Sequence, residues 1–495
     1  MARPVRTTRR PAPGPVQKAT GDTASAVPPP VPRPGATLAL TSAATAVALM
    51  TYTAPMVTLS DTAASLGSPL SAQAWLLNGA PLGLSALLLV AGSLADDYGR
   101  RRIFLFGTLA LGVTTALGAL ASDTWLFVLA RVAQGAASAA VLASSLGLLV
   151  HAFPGAHSRI RATGVWGAFV SGGIATGPLL AGGLATVDWR WAYVVLGLAA
   201  LLVAVLGRGA LTESRAPRPS RPDLAGSIAL GLALVALLAA LTLGRDGWAR
   251  PSVVLLLLAS VLLAAAFAVV ERRSSAPMLD LGLLRRPLFL AASSGALFTG
   301  LAVIGPYSFL PTLLQGTLGL TPLDTAWLFL IWAGTSFVVA LQSRRLLQSP
   351  RLAGRISARH QLALGFVLHA AGMLAMLGAA GAGSWTRLLP GLFVTGAGSG
   401  LLNAGLPLLA VESVPADRAA MGSGANNTAR YIGSSAGVAL TIAVATAMGT
   451  GSRGGTAALA HGTDVALVVS AGLSALAAAG MLLLRERGRA AGPVG

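Results

Sequence analysis

Fourteen apolar stretches follow one another along this chain with only short polar breaks between them, at approximately 38–60, 73–95, 103–121, 125–149, 162–186, 191–207, 225–243, 252–270, 287–310, 325–342, 361–380, 388–411, 423–447 and 464–484. A bilayer core about 30 Å thick takes roughly 20 apolar residues of helix to cross. Inside it every backbone amide must find its partner within the protein, which leaves helices or closed barrels. Stretches of this length exclude barrel strands, so the sequence predicts an all-α polytopic membrane protein of fourteen transmembrane helices.

Composition then closes off other classes. Only 10% of the 495 residues are charged, against about 25% in soluble domains, so a packed soluble enzyme is excluded. The absence of cysteine removes disulfides, thiolate metal sites and a cysteine nucleophile. The net charge of +19 would suit nucleic acid only if the basic residues shared one soluble face. They are scattered between apolar runs, so no nucleic-acid partner is expected. No His/Asp/Glu grouping has the spacing of a catalytic or metal centre, and neither metal nor cofactor is expected.

The ends and loops set orientation. Residues 1–36 are basic, Pro-rich and poor in large apolar side chains, the composition of a disordered tail. The first stretch is too long, and too far from the start, for the apolar part of a signal peptide. Placing the N-terminus inside puts 28 of the 35 Lys and Arg on the cytoplasmic side, as the positive-inside rule requires. Both termini, including the 485–495 tail, are then cytoplasmic. One lysine against 34 arginines, with abundant Ala and Gly, is the bias of a GC-rich bacterial genome, which makes the bilayer a bacterial inner (plasma) membrane.

Three short motifs carry more than topology. "GSLADDYGRRRIF" (92–104) joins spans 2 and 3. Its arginines hold the turn inside, but acids contribute little to topology, so Asp96 and Asp97 need another reason. Gly92 and Gly99 permit a tight turn, and an aspartate at a helix end can meet the positive N-terminus of a facing helix. "ARVAQG" (130–135) puts Arg131 inside span 4, where a charge is costly unless it faces the bundle interior or water. "GGIATGPLLAGG" (172–183) in span 5 carries glycines at four-residue spacing, which let helices approach closely, and Pro178, which removes a backbone bond.

Together these resemble the signatures of the major facilitator superfamily, in the helices and order that family requires. The loop motif matches through Gly92, Leu94, Asp96, Gly99, Arg100 and Arg101; the helix 4 motif through Arg131, Gln134 and Gly135; the antiporter motif through Gly173, Gly177, Pro178 and Gly182. Two spans beyond six plus six, together with "APMLDLGLLRRPLFL" and "NNTARYIGSSAGVAL", are similar to the fourteen-helix drug/proton antiporter subgroup. The resemblance implies an N-terminal six-helix bundle (37–207), a linker with two extra helices (208–286) and a C-terminal six-helix bundle (287–484). It implies that Gly92, Asp96, Gly99, Arg100 and Arg101 latch one half to the other, with the partner near "AAMGSGANNTAR" at the start of span 13.

One departure matters. The subgroup carries an aspartate midway along helix 1, tied to proton coupling; aligning on Leu66-Gly67 puts Thr51 in its place, and none of the sixteen acids lies midway along a span. Asp61 near the external end of helix 1 and Glu412 at a cytoplasmic end are the remaining coupling candidates beside Arg131 and Gln134. Thr51, Tyr52, Asn78, Tyr307 and Asn403 are candidate cavity contacts, each equally able to serve as an interhelical hydrogen bond. The expected function is secondary active export of amphipathic small molecules (drug or antibiotic efflux) by alternating access. Protons are the expected coupling ion, and the carrier is expected to act as a monomer. Uptake or facilitated diffusion of a metabolite by the same fold is the alternative.

Overall fold

The computed structural model describes residues 33–215, 224–244, 247, 249–273, 281–347, 358–414, 419–447 and 455–484. Both termini, 1–32 and 485–495, lie outside the described residues. Fourteen helical rods follow one another, and the described residues contain no strand.

The rods begin with α1 (Pro34–Thr53, continued past a bend as Pro55–Ser65), α2 (Leu70–Tyr98), α3 (Arg100–Ala119), α4 (Thr124–Ala152), α5 (Ala156–Ala185) and α6 (Arg190–Ala210). The extra pair is α7 (Leu224–Gly244) and α8 (Pro251–Arg273). Then come α9 (Pro287–Phe298, a π turn Thr299–Ile304, and Gly305–Leu318), α10 (Pro322–Leu347), α11 (Ala358–Ala375), α12 (Leu389–Glu412), α13 (Ala419–Ala447) and α14 (Thr456–Leu483). Among the described residues ten stretches are, by length and composition, long and apolar enough to cross a membrane. The two shortest expected spans, 191–207 and 325–342, belong to the longer rods α6 and α10.

Within the first half α2 packs on α4, α4 and α6 on α3, and α5 on α1; within the second α11 packs on α12 and α14, α12 on α10, and α13 on α9. The halves meet along α5 with α10 and α2 with α13. Large apolar side chains such as Phe106, Leu120 and Leu262 stay about 70% exposed on the outer surface, which suits lipid rather than water. The inserted pair is not detached: α7 packs on α8, and also along α2 and α13 at the seam between the halves. Ser260 of α8 donates to the Ala233 carbonyl at 2.9 Å.

Candidate functional site

The centre of the first half is built around a proline. Pro55 has no N–H, so the carbonyl four residues earlier, that of Thr51, loses its helical partner and α1 bends at Ala54. Arg131 of α4 supplies the missing donor: Nη1 donates to the Thr51 carbonyl at 2.7 Å and Nη2 to the Tyr52 carbonyl at 3.3 Å. Nη1 also donates to Gln134 Oε1 at 2.7 Å, and Gln134 Nε2 donates to the Thr114 carbonyl of α3 at 3.2 Å. Arg131 is fully buried. It therefore does not snorkel to the surface, and its charge is dispersed over carbonyl dipoles of the helix it straddles. The Thr51 hydroxyl turns back to the Val47 carbonyl. Behind Arg131, Phe127, Trp189 and Tyr193 pack edge to face and tie α4 to the start of α6.

The second half repeats the device with different residues. Pro306 frees the carbonyl of Ala302, inside the π turn of α9. His369 Nε2 of α11 lies 3.2 Å from that carbonyl and Ser470 Oγ of α14 donates to it at 2.7 Å. An imidazole nitrogen facing a carbonyl carries the proton, so His369 is a structural donor here. One turn along α9, Tyr307 stacks on Trp332 with ring centroids 4.2 Å apart, and its hydroxyl meets Thr395 Oγ1 of α12 at 2.5 Å. Asn403 of α12 is exposed and donates to Ser336 Oγ of α10 at 3.3 Å.

Between the halves, the structure brings some of the expected cavity residues together and separates others. The Tyr52 hydroxyl meets Ser434 Oγ of α13 at 3.3 Å, and its ring packs edge-on against Tyr431 at 5.9 Å. Asn78 is fully buried; its Nδ2 donates to the Ser435 carbonyl at 3.3 Å and to Thr242 Oγ1 of the inserted α7 at 3.2 Å. It is thus a three-way tie between α2, α13 and α7. Tyr307 and Asn403 belong to the second half's own packing. Beyond the bend of α1, Gln315 of α9 donates to the Val57 carbonyl of α1 at 2.8 Å and to Thr325 of α10 at 3.0 Å. Neither Gln315 nor Thr242 stands out in the sequence, because each acts on a partner far along the chain.

The antiporter motif on α5 does two jobs. A Cβ at Gly173 would meet the Ala46 carbonyl of α1 at 2.6 Å, and one at Gly177 would strike Thr53 and Met50, in the turn just before the α1 bend. A Cβ at Gly182 would meet the Pro322 carbonyl of α10, in the other half, at 2.8 Å. The motif therefore seats α1 and closes one contact between the halves.

The loop between α2 and α3 has a partner that the sequence reading missed. Glu213, just past α6, accepts from the Arg101 amide at 3.0 Å through Oε1, and its Oε2 lies 3.7 Å from Arg102 Nε. The Arg100 amide donates to the Ser214 carbonyl at 2.9 Å, Arg100 Nη1 to Gly147 of α4 at 3.2 Å, and Arg101 Nη2 to the Arg208 carbonyl at 2.6 Å. A carboxylate at the start of α3 meets the positive end of its dipole. Gly99, at φ 119° with Glu213 against its α-hydrogen side, has no room for a side chain. Arg100 and Arg101 thus clamp the first half to itself, while Gly92 lies on α2 facing Ala143 of α4. The side chains of Asp96 and Asp97 lie outside the described residues. Asp61 is half-buried on the Pro55–Ser65 segment of α1, and Glu412 is exposed at the end of α12.

Comparison with known proteins agrees with this architecture. The Major Facilitator Superfamily model matches residues 41–438. Puromycin resistance protein pur8 of Streptomyces alboniger is 34% identical over 452 residues, covering 89% of this chain and 86% of the relative. Multidrug resistance protein Stp of Mycobacterium tuberculosis is 34% identical, over 74% of this chain and 67% of its own length. Among solved structures, a bacterial homologue of the human lysosomal transporter Spinster, inward-facing and occupied, aligns with a TM-score of 0.64 at 17% identity, over 90% of this chain and 96% of that one. An auto-inhibited peptide transporter of the POT family aligns with a TM-score of 0.66 at 17% identity, over 92% and 97%; at such identity the likeness is one of fold. With two bundles meeting along α5–α10 and α2–α13, and a family match spanning both, the chain belongs to the major facilitator superfamily and is a membrane transporter rather than an enzyme.

Proposed function

We propose that this protein exports amphipathic small molecules, drugs or antibiotics among them, by alternating access. The observation that carries the reading is the likeness, along nearly the whole chain, to a protein named for puromycin resistance. A probable actinorhodin transporter of Streptomyces coelicolor, 31% identical over 436 residues, supports it. The geometry is compatible: α1 bends beside Arg131 at mid-depth, seated on the glycines of α5, and its Tyr52 reaches across to α13. A helix whose bend is held by side-chain bonds can change its angle without stranding a carbonyl.

We assign residues 37–207 and 287–484 as the two moving halves and 208–286 as the linker, in a bacterial plasma membrane with both termini cytoplasmic. The carrier works as a monomer and exchanges substrate for protons. Arg131 and Gln134 act at the α1 bend, and Asp61 and Glu412 are the coupling carboxylates. The loop of Gly92, Asp96, Gly99, Arg100 and Arg101 latches the cytoplasmic side; Tyr52 faces the path, and Thr51, Asn78, Tyr307 and Asn403 brace the helices that wall it. Efflux of a fluorescent amphiphile such as ethidium or pyrenebutyrate from expressing cells, with and without an uncoupler, tests both parts. Accumulation in inverted vesicles fixes direction, and transport only in the opposite sense would make the protein an uptake carrier.

A further inference from the structure

Arg131 is not the only arginine inside a helix of this chain. Arg430 lies well within α13, half-buried, with its Nε buried and unpartnered. Among the described residues no side chain or carbonyl accepts a hydrogen bond from it, and none of the sixteen acids of the sequence lies midway along a span. Arg131 shares the buried, unpartnered Nε but differs otherwise: it is fully buried, with both terminal nitrogens committed to oxygens of its own half.

The surroundings of Arg430 are those of a ligand. Ser434, four residues on and so on the same face of α13, meets the Tyr52 hydroxyl of α1 at 3.3 Å. The guanidinium carbon is 5.9 Å from the centre of the Tyr431 ring, which packs against Tyr52. A cation, two phenol rings and a serine hydroxyl thus converge from both halves, with no carboxylate among them. A charged side chain at such depth is costly and is retained where water or a counter-ion meets it.

We propose that Arg430 is the docking point for an acidic group, a carboxylate, sulfonate or phenolate, on an amphipathic substrate, and that the Tyr52 and Tyr431 rings receive its aromatic part. A guanidinium offers such a group a planar pair of donors. The proposal rests on the transport reading above and gives it a substrate class: organic anions rather than lipophilic cations.

The test is binding of 4-(1-pyrenyl)butyrate and of its uncharged methyl ester to the purified full-length protein in detergent, followed by pyrene fluorescence. The wild type should favour the anion by about tenfold or more, the worth of a charge-assisted hydrogen bond. Arg430→Gln should abolish that preference and leave ester binding unchanged; Arg430→Lys should keep part of it, because the charge remains and the fork is lost. An undiminished preference in Arg430→Gln overturns the proposal, as does equal loss of both probes in both variants, the mark of a structural role. Transport of the two probes into inverted vesicles separates the readings. Arg430-dependent binding without movement of either probe would sink the export reading and leave the site standing. Movement of the anion by Arg430→Gln at the wild-type rate would sink the site and leave export standing.

Discussion

Arg131 donates at 2.7 Å to the carbonyl of Thr51, the group that Pro55 leaves without a helical partner. The costliest residue of the first half and the bend of its first helix are therefore one feature. Removing the guanidinium should expose a buried carbonyl, at a cost of about 1–3 kcal/mol. Arg131→Ala should insert, since losing a charge eases insertion, yet show little or no efflux; Arg131→Lys should keep partial activity. Pro55→Ala, which restores the N–H, should recover thermal stability in the Arg131→Gln background. A double-mutant cycle on detergent-solubilised protein measures this, and strict additivity would break the link.

Glu213 caps α3 from another part of the chain, at 3.0 Å from the Arg101 amide. Glu213→Ala should cost about 0.5–2 kcal/mol, the range of a lost N-cap, read as a lower unfolding temperature. Gly99→Ala should cost more, because its φ of 119° suits glycine and its Cβ would meet the Glu213 carboxylate at 2.7 Å. Alanine at Gly172, where nothing lies within 4 Å, is the neutral control. Equal stability of the Gly99 and Gly172 variants would contradict the clamp.

At the seam of α5 with α10, Gly182 has the Pro322 carbonyl 2.8 Å from where its Cβ would be, whereas Gly183 has open space. Gly182→Val should push α5 from α10 and reduce efflux severalfold at normal expression; Gly183→Val should transport like the wild type. Comparable efflux by the two variants would remove any role for this contact.

The inserted α7 touches the transporter halves through Thr242 and Asn78 at 3.2 Å. It should support the seam without lining the path. Single cysteines along 225–243, in a chain that has none of its own, should show no protection by substrate. Thr242→Ala should lower thermal stability by the ~0.6 kcal/mol typical of an interhelical bond in a membrane. Substrate protection at several of these positions would place α7 on the path.

Asp96→Asn tests the latch apart from the clamp. Efflux should fall sharply while membrane expression holds, because an end-of-helix charge is worth about 0.3–2 kcal/mol. Undiminished efflux would leave the loop with the Glu213 clamp as its function.

The sequence by itself determined the solvent, the helices and the family. In hydrocarbon a backbone has few legal forms, so twenty-residue apolar runs specify rods almost without reference to one another, and short motifs at fixed places in those rods were enough to mark the superfamily. It also located the residues that membranes make costly, Arg131 and Pro178 among them. What each one binds was left to tertiary structure. The sequence reading passed over Pro55 and took Thr51 only as a cavity contact; that Arg131, rather than water, another helix or a substrate, fills the vacancy at the Thr51 carbonyl depends on how α4 is rotated against α1. The same holds for Ala302, answered by His369 and Ser470 from two other helices, and for Glu213, more than a hundred residues from the amide it caps. Lipid is as apolar as leucine, so hydrophobic burial does not set helix rotation here. Small-residue contacts and single polar bonds set it, and those are pairwise facts that one strand of sequence does not contain.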